Sequence, residues 1–152
     1  MSYFAIPIIN KQPMSILDIF STNSAQSSVA GKKLIREKRV EEQDLATAYG
    51  TGKIPVFATP ALINFMIQTC TQLIEPYLPI GKDTVGIEIN IKHLKIVSLG
   101  ELLRCTATLK FIDDKRLYFD VVVVNENMEE VGAGAHERVI VDAAQFMANM
   151  KK

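Results

Sequence analysis

The sequence predicts an α+β domain in which a curved antiparallel β-sheet wraps around one long helix. Three observations carry this. The stretch TPALINFMIQTCTQLIEP, from Thr59 to Pro76, opens with helix-start residues and has no charge before Glu75. Beyond Gly81 the apolar period drops to two, the repeat of a strand with one buried side. The last three apolar segments are joined by DDK and NENMEE, connectors short and polar enough for hairpin turns.

Composition sets the frame for these elements. A chain of 152 residues, 48% hydrophobic and 22% charged, has the size and balance of one globular domain with one core. Lys plus Arg equal Asp plus Glu at 17 each, so no basic excess draws the protein to nucleic acid or to an anionic membrane surface. Cys70 and Cys105 lie in separate apolar segments without a CxxC or a histidine at ligand spacing, which predicts core packing and no metal site. Asn64, Gln68, Thr69, Thr71 and Gln72 interrupt the longest uncharged run, so no membrane span is expected. The apolar start MSYFAIPIIN is short, has no basic residue ahead of it and contains Pro7, which leaves the cytoplasm as the expected location.

In chain order, residues 1–30 read as an N-terminal extension or linker, because STNSAQSS is polar and small and the flanking apolar clusters are modest. Residues 31–142 read as the folded domain and 143–152 as a C-terminal tail. Within the domain, KLIREKRV (33–40) fits a partly exposed strand, and EEQDLATAYGTG a short helix stopped by Gly50 and Gly52. Thr59 then reads as an N-cap and Pro60 as the first helical residue, where proline has no N–H to waste. At 100° per residue Asn64, Gln68, Thr71 and Gln72 form one polar stripe and the rest of the helix is apolar. Such a helix is expected to be mostly buried, since enclosed charges cost several kcal/mol. In TVGIEINIKHL the residues Val85, Ile87, Ile89 and Ile91 are predicted to share the inward face, and LLRCTATLKFI, RLYFDVVVV and VGAGAHERVIV follow as an antiparallel meander.

Few residues in these elements can do chemistry. His93 has the parity of the isoleucines and is aimed towards the helix where its strand ends. A histidine beside an apolar face serves either as a hydrogen-bonded core residue or as an acid-base group near neutral pH. His136 and Arg138 have the opposite parity and read as an interface or surface pair. The Thr59 hydroxyl could cap its own helix, or face a carbonyl or anionic oxygen together with the first-turn N–H groups. Gly86 inside a strand marks either a bulge or the close approach of a ligand to the backbone.

The order VFATPALI, TVGIEINIKHL, DDKRLYFDVVV and VGAGAHERVIV, at these spacings, resembles the fluoroacetyl-coenzyme A thioesterase-like branch of the hotdog-fold thioesterases, from about Lys33 to Asp142. The resemblance implies a hotdog fold and a homodimer, possibly a higher homo-oligomer, joined edge to edge, with acyl-CoA sites at the subunit interface. It implies that Thr59 and His93 are catalytic, that Gly86 lies beside the acyl group, and that Arg138 is the arginine of the HER motif. One departure is plain. The helix glutamate of the family, eight residues after the threonine, is replaced by Ile67 and followed by Gln68.

Glu88 lies on the strand face opposite His93, and Glu75 is two turns or more beyond the expected place, so neither substitutes for that carboxylate. The expectation is hydrolysis of a small or medium acyl-CoA thioester. Thr59 binds or polarises the carbonyl, His93 activates water, Gln68 or Asn64 positions that water, and Gly86 admits the acyl group. No cofactor is expected beyond the coenzyme A carried by the substrate. The alternative is a non-catalytic acyl-CoA-binding or sensing module that kept the site and lost the carboxylate.

Overall fold

The computed structural model describes residues 29–151, so the expected N-terminal extension lies, but for its last two residues, outside the described residues. Strand β1 (Lys33–Arg39) is followed by a 3-10 turn (Glu42–Asp44), the short helix α1 (Ala46–Tyr49) and the long helix α2 (Thr59–Ile74). Strands β2 (Lys82–His93), β3 (Leu102–Asp113), β4 (Arg116–Val124) and β5 (Glu130–Asp142) complete one antiparallel sheet of order β1-β3-β4-β5-β2. The segment expected as a tail forms a further helix, α3 (Ala143–Met150), capped by the Asp142 carboxylate, which accepts from the Gln145 N–H at 2.9 Å.

Helix α2 is buried by residues in adjacent pairs four apart: Ala61 and Leu62, Phe65 and Met66, Thr69 and Cys70, Leu73 and Ile74. That spacing holds one broad face against the sheet, where Leu103, Cys105, Ala107 and Leu109 of β3 meet Leu117, Phe119, Val121 and Val123 of β4 in the same core. Each fully buried Leu or Phe contributes roughly 1.5–3 kcal/mol, so this face is the main source of stability. Thr69 adds no unpaired group, because its hydroxyl donates to the Phe65 carbonyl at 2.8 Å. Both cysteines are buried in this core, and burial, reinforced by Cys105, pushes the Cys70 thiol up to about 12. Val29 is buried as well, so the core reaches back past the expected boundary at residue 31.

Two glycines of β5 set how closely its neighbours approach. A side chain at Gly132 would stand 2.7 Å from the end of Leu62 and 3.2 Å from that of Met66, on the helix. One at Gly134 would meet the Asn90 carbonyl, with the Ile91 Cα at 2.6 Å. The small residues of VGAGAH thus let α2 and β2 close on β5.

Strand β2 departs from simple alternation. Gly86 pairs with Arg138 but Glu88 with Glu137, leaving Ile87 as the extra residue of a β-bulge. Before the bulge the even residues point inward, with Thr84 opposite Ile140 and Gly86 opposite Arg138. After it the odd ones do, with Ile89 opposite His136 and His93 opposite Gly132. The single inward face expected for Val85, Ile87, Ile89 and Ile91 is therefore corrected: Ile87 is exposed and Val85 lies on its side of the sheet. His93 keeps its inward direction because it follows the bulge.

Candidate active site

The start of α2 differs from the expected cap. Ala58 occupies the N-cap position in extended conformation, and no side chain caps the helix. Thr59 is the first helical residue, and its freed hydroxyl meets His93 Nδ1 at 2.8 Å, across a sequence separation of 34. Phe57 meets the imidazole edge-on, with ring centroids 6.2 Å apart and planes at 80°. Both Thr59 and His93 line a cleft of about 380 Å³ whose other walls include Ala46, Val56, Phe57 and Ile96. His93 Nε2 is buried and finds no partner among the described residues. Burial holds the His93 pKa below the ordinary imidazole value, with the Lys95 main chain pulling the other way. The ring is neutral at neutral pH and able to accept a proton.

A second polar cluster occupies the other end of β2. Arg138, buried in the core, donates from Nε to Thr84 Oγ1 and from Nη2 to the Thr84 carbonyl, both at 2.8 Å, and from Nη1 to His136 Nε2 at 3.1 Å. Guanidinium only donates, so His136 Nε2 is the acceptor, and its Nδ1–H donates to the Glu88 carbonyl at 2.7 Å. His136 is neutral, its pKa lowered by burial, with the Arg138 charge adding to the shift and the Glu88 carbonyl opposing. The interface or surface pair expected at His136 and Arg138 is corrected to a buried network: on β5 they share the face of Gly132 and Ile140, and they pair with the inward Phe119 and Leu117 of β4. Gly86 makes room for it: a Cβ there would stand 3.1 Å from Arg138 Nη1 and from His136 Cε1. Thr84, which the sequence reading did not single out, lines a separate hollow of about 450 Å³ with Thr71 and Glu75.

The anticipated residues therefore form two groups within one chain. Thr59 and His93 stand together, as do Gly86 and Arg138, but His93 and Gly86 are seven residues apart along β2, on the order of 20 Å. Asn64 and Gln68 are exposed on the outer stripe of α2, as their spacing implied. Gln68 lies roughly 13 Å beyond Thr59 along the helix axis and does not line the His93 cleft. Ile67 is half-buried beside it. Simple alternation in β5 did not announce the Arg138 network, because the inward positions of that strand include Gly132 and Gly134 beside His136, Arg138 and Ile140.

The family model for fluoroacetyl-CoA-specific thioesterases matches residues 40–144. A fluoroacetyl-CoA thioesterase from Streptantibioticus cattleyicolor is 29% identical over 97 residues, covering 64% of this chain and 69% of that protein. A variant of a fluoroacetyl-CoA-specific thioesterase, solved in complex with fluoroacetate and CoA, superposes with a TM-score of 0.71 at 24% identity, covering 77% of this chain and 98% of the other. A hot-dog-like protein from Thermanaerovibrio acidaminovorans gives a TM-score of 0.73 at 22% identity, over 80% of this chain and 89% of that one. The fold is the hotdog fold.

Proposed function

The chain belongs to the fluoroacetyl-CoA-specific thioesterase family, and from that premise we propose that it hydrolyses the thioester of a small or medium acyl-CoA, as a homodimer, with Thr59 and His93 as the reacting pair. The observation that carries this reading is the 2.8 Å contact between the Thr59 hydroxyl and a neutral imidazole at the wall of a cleft. A hydroxyl and a base at that distance can exchange a proton during attack on a carbonyl. His93 supplies the base, and coenzyme A enters only as part of the substrate.

The separation of the two residue groups supports the dimer. Strand β2, 12 residues long, is an edge of the sheet, and an uncovered edge of that length invites pairing. A two-fold pairing would run two β2 strands antiparallel and lay the His93 end of one against the Gly86 end of the other. Each Thr59–His93 pair would then share an acyl group with Gly86 and Arg138 of the partner subunit, and Gln68 and Asn64 would provide amides for water. Sedimentation should give about twice the chain mass at micromolar concentration, and a stable monomer would reject this assembly.

A second reading rests on Ile67. Without the helix carboxylate of the family, the chain could bind acyl-CoA and not turn it over. Thiol release from short acyl-CoAs, with binding measured separately by calorimetry, separates the two. Turnover that falls about 10² to 10⁴-fold in His93→Ala supports the enzyme. Binding without turnover, with activity appearing in Ile67→Glu, supports the binding module.

A further inference from the structure

We infer that the substrate carries a straight, saturated acyl chain of about six to ten carbons, held in an isoleucine-lined groove between α2 and β2, with Ile67 as a residue that sets this preference; this rests on the thioesterase reading above. The groove follows from one row of the helix. Thr59, Ile63, Ile67, Thr71 and Glu75 stand four apart and so run along one side of α2. Both ends of that row meet β2. Thr59 meets His93 at 2.8 Å, and Thr71 and Glu75 share the hollow at Lys82, Asp83 and Thr84. The members between them, Ile63 and Ile67, run beside the middle of that strand. The adjacent helix face agrees, since Leu62 and Met66 pack at the Gly132 position of β5, and β2 is the strand outside β5.

Between His93 and the bulge, the inward residues of β2 are Ile91 and Ile89. Ile63, Ile67, Ile89 and Ile91 are all half-buried, and none has a polar side-chain atom. Thr71, farther along the row, adds no free donor, because its hydroxyl donates to the Ile67 carbonyl at 2.6 Å. The occupant follows from where this lining begins. In the thioesterase reading the thioester carbon lies beside Thr59 and His93, and the chain attached to that carbon enters the groove directly. Each methylene taken out of water there favours binding about two- to fourfold. A carboxylate at position 67 would interrupt the lining with a charge that must be desolvated, and a hydroxylated or charged acyl group would find no partner.

Two distances limit the chain. From Thr59 to Ile67 the helix rises about 12 Å. In the two-fold assembly proposed above, the axis crosses β2 midway between His93 and Gly86, near Ile89, again about 12 Å from His93. Beyond the axis the groove serves the partner subunit's site. An extended chain of about eight to ten carbons fills that length.

The test is the chain-length profile. Thiol release is measured from acetyl-CoA to dodecanoyl-CoA in steps of two carbons, and calorimetry compares S-ethyl-CoA with S-octyl-CoA, thioethers that cannot be hydrolysed. The kcat/KM should rise at least about tenfold from butyryl to octanoyl and gain nothing more at dodecanoyl, and S-octyl-CoA should bind at least about tenfold tighter than S-ethyl-CoA. In Ile67→Asn and Ile89→Asn, each checked for folding by thermal melting, the octanoyl-to-acetyl ratio of kcat/KM should fall at least about tenfold. A smaller rise, a gain that continues through dodecanoyl, or folded variants that keep the ratio overturns the inference and leaves the thioesterase reading standing. No thiol release by the natural protein from any of these thioesters removes that reading instead, and the thioether pair then decides the groove alone: equal binding overturns it.

Discussion

The two histidines of this chain stand on the same face of adjacent strands and are both held neutral by burial, yet only one is left with anything to do. His136 spends Nδ1 on the Glu88 carbonyl and Nε2 on Arg138, so both nitrogens have fixed protein partners. His93 Nδ1 meets the Thr59 hydroxyl, its Nε2 has no hydrogen-bond partner among the described residues, and the ring lines a cleft. Burial alone does not separate a structural histidine from a chemical one. The difference lies in whether the partner can itself react. A carbonyl and a guanidinium fix a ring, whereas a hydroxyl open to solvent exchanges protons with it.

The largest effect should come from breaking the reactive half. His93→Gln should lower thiol release by about 10² to 10⁴-fold, equivalent to about 3–5 kcal/mol of barrier, with little change in thermal stability. Equal losses of activity in His93→Gln and in a folded His136→Gln would erase the distinction. Next comes the structural half: Arg138→Met strands the Thr84 carbonyl and His136 Nε2 and should cost about 2 kcal/mol in urea unfolding. A variant as stable as the natural protein would show that the network does not hold β2 to β5.

A smaller effect sharpens the same contrast. Gly86→Ala places a Cβ 3.1 Å from Arg138 Nη1 and His136 Cε1, so those side chains must give by a few tenths of an ångström, at a cost of about 1 kcal/mol. The cleft at Thr59 and His93 should be unaltered in the same protomer.

The smallest effect is in pH. Both imidazole pKa values are lowered from 6.5 in the folded state, His93 and His136 alike by burial first. While pH stays above the unfolded value their contribution to stability is complete. As pH falls below it, the unfolded chain takes up protons that the folded chain refuses, and stability declines until the folded rings protonate. Replacing either histidine by glutamine should flatten that slope in chemical denaturation measured across the range. Activity should share the acid-side loss only through His93, whose protonation removes the base.

Much of the fold was legible because burial writes periodicity into sequence. The charge-free run from Thr59 to Ile74 marked the enclosed helix, and its exposed stripe at Asn64, Gln68 and Gln72 is where spacing put it. The DDK and NENMEE connectors announced the meander of β3, β4 and β5. Of the candidate site, residue type and position left Thr59 and His93 each with a structural and a chemical reading, and only the resemblance to the family put the two together. Two things could not be read. Alternation assumes an unbroken ladder, and the bulge at Ile87, where two residues of β2 face one step of β5, reversed the facing of half a strand and brought Gly86 onto the face where His136 and Arg138 lie. A threonine before a helix, likewise, has a local partner in the first-turn N–H and a distant one in the histidine. Which of them it bonds depends on how closely β2 passes the start of α2, and that distance is set by the packing of the whole sheet on the helix.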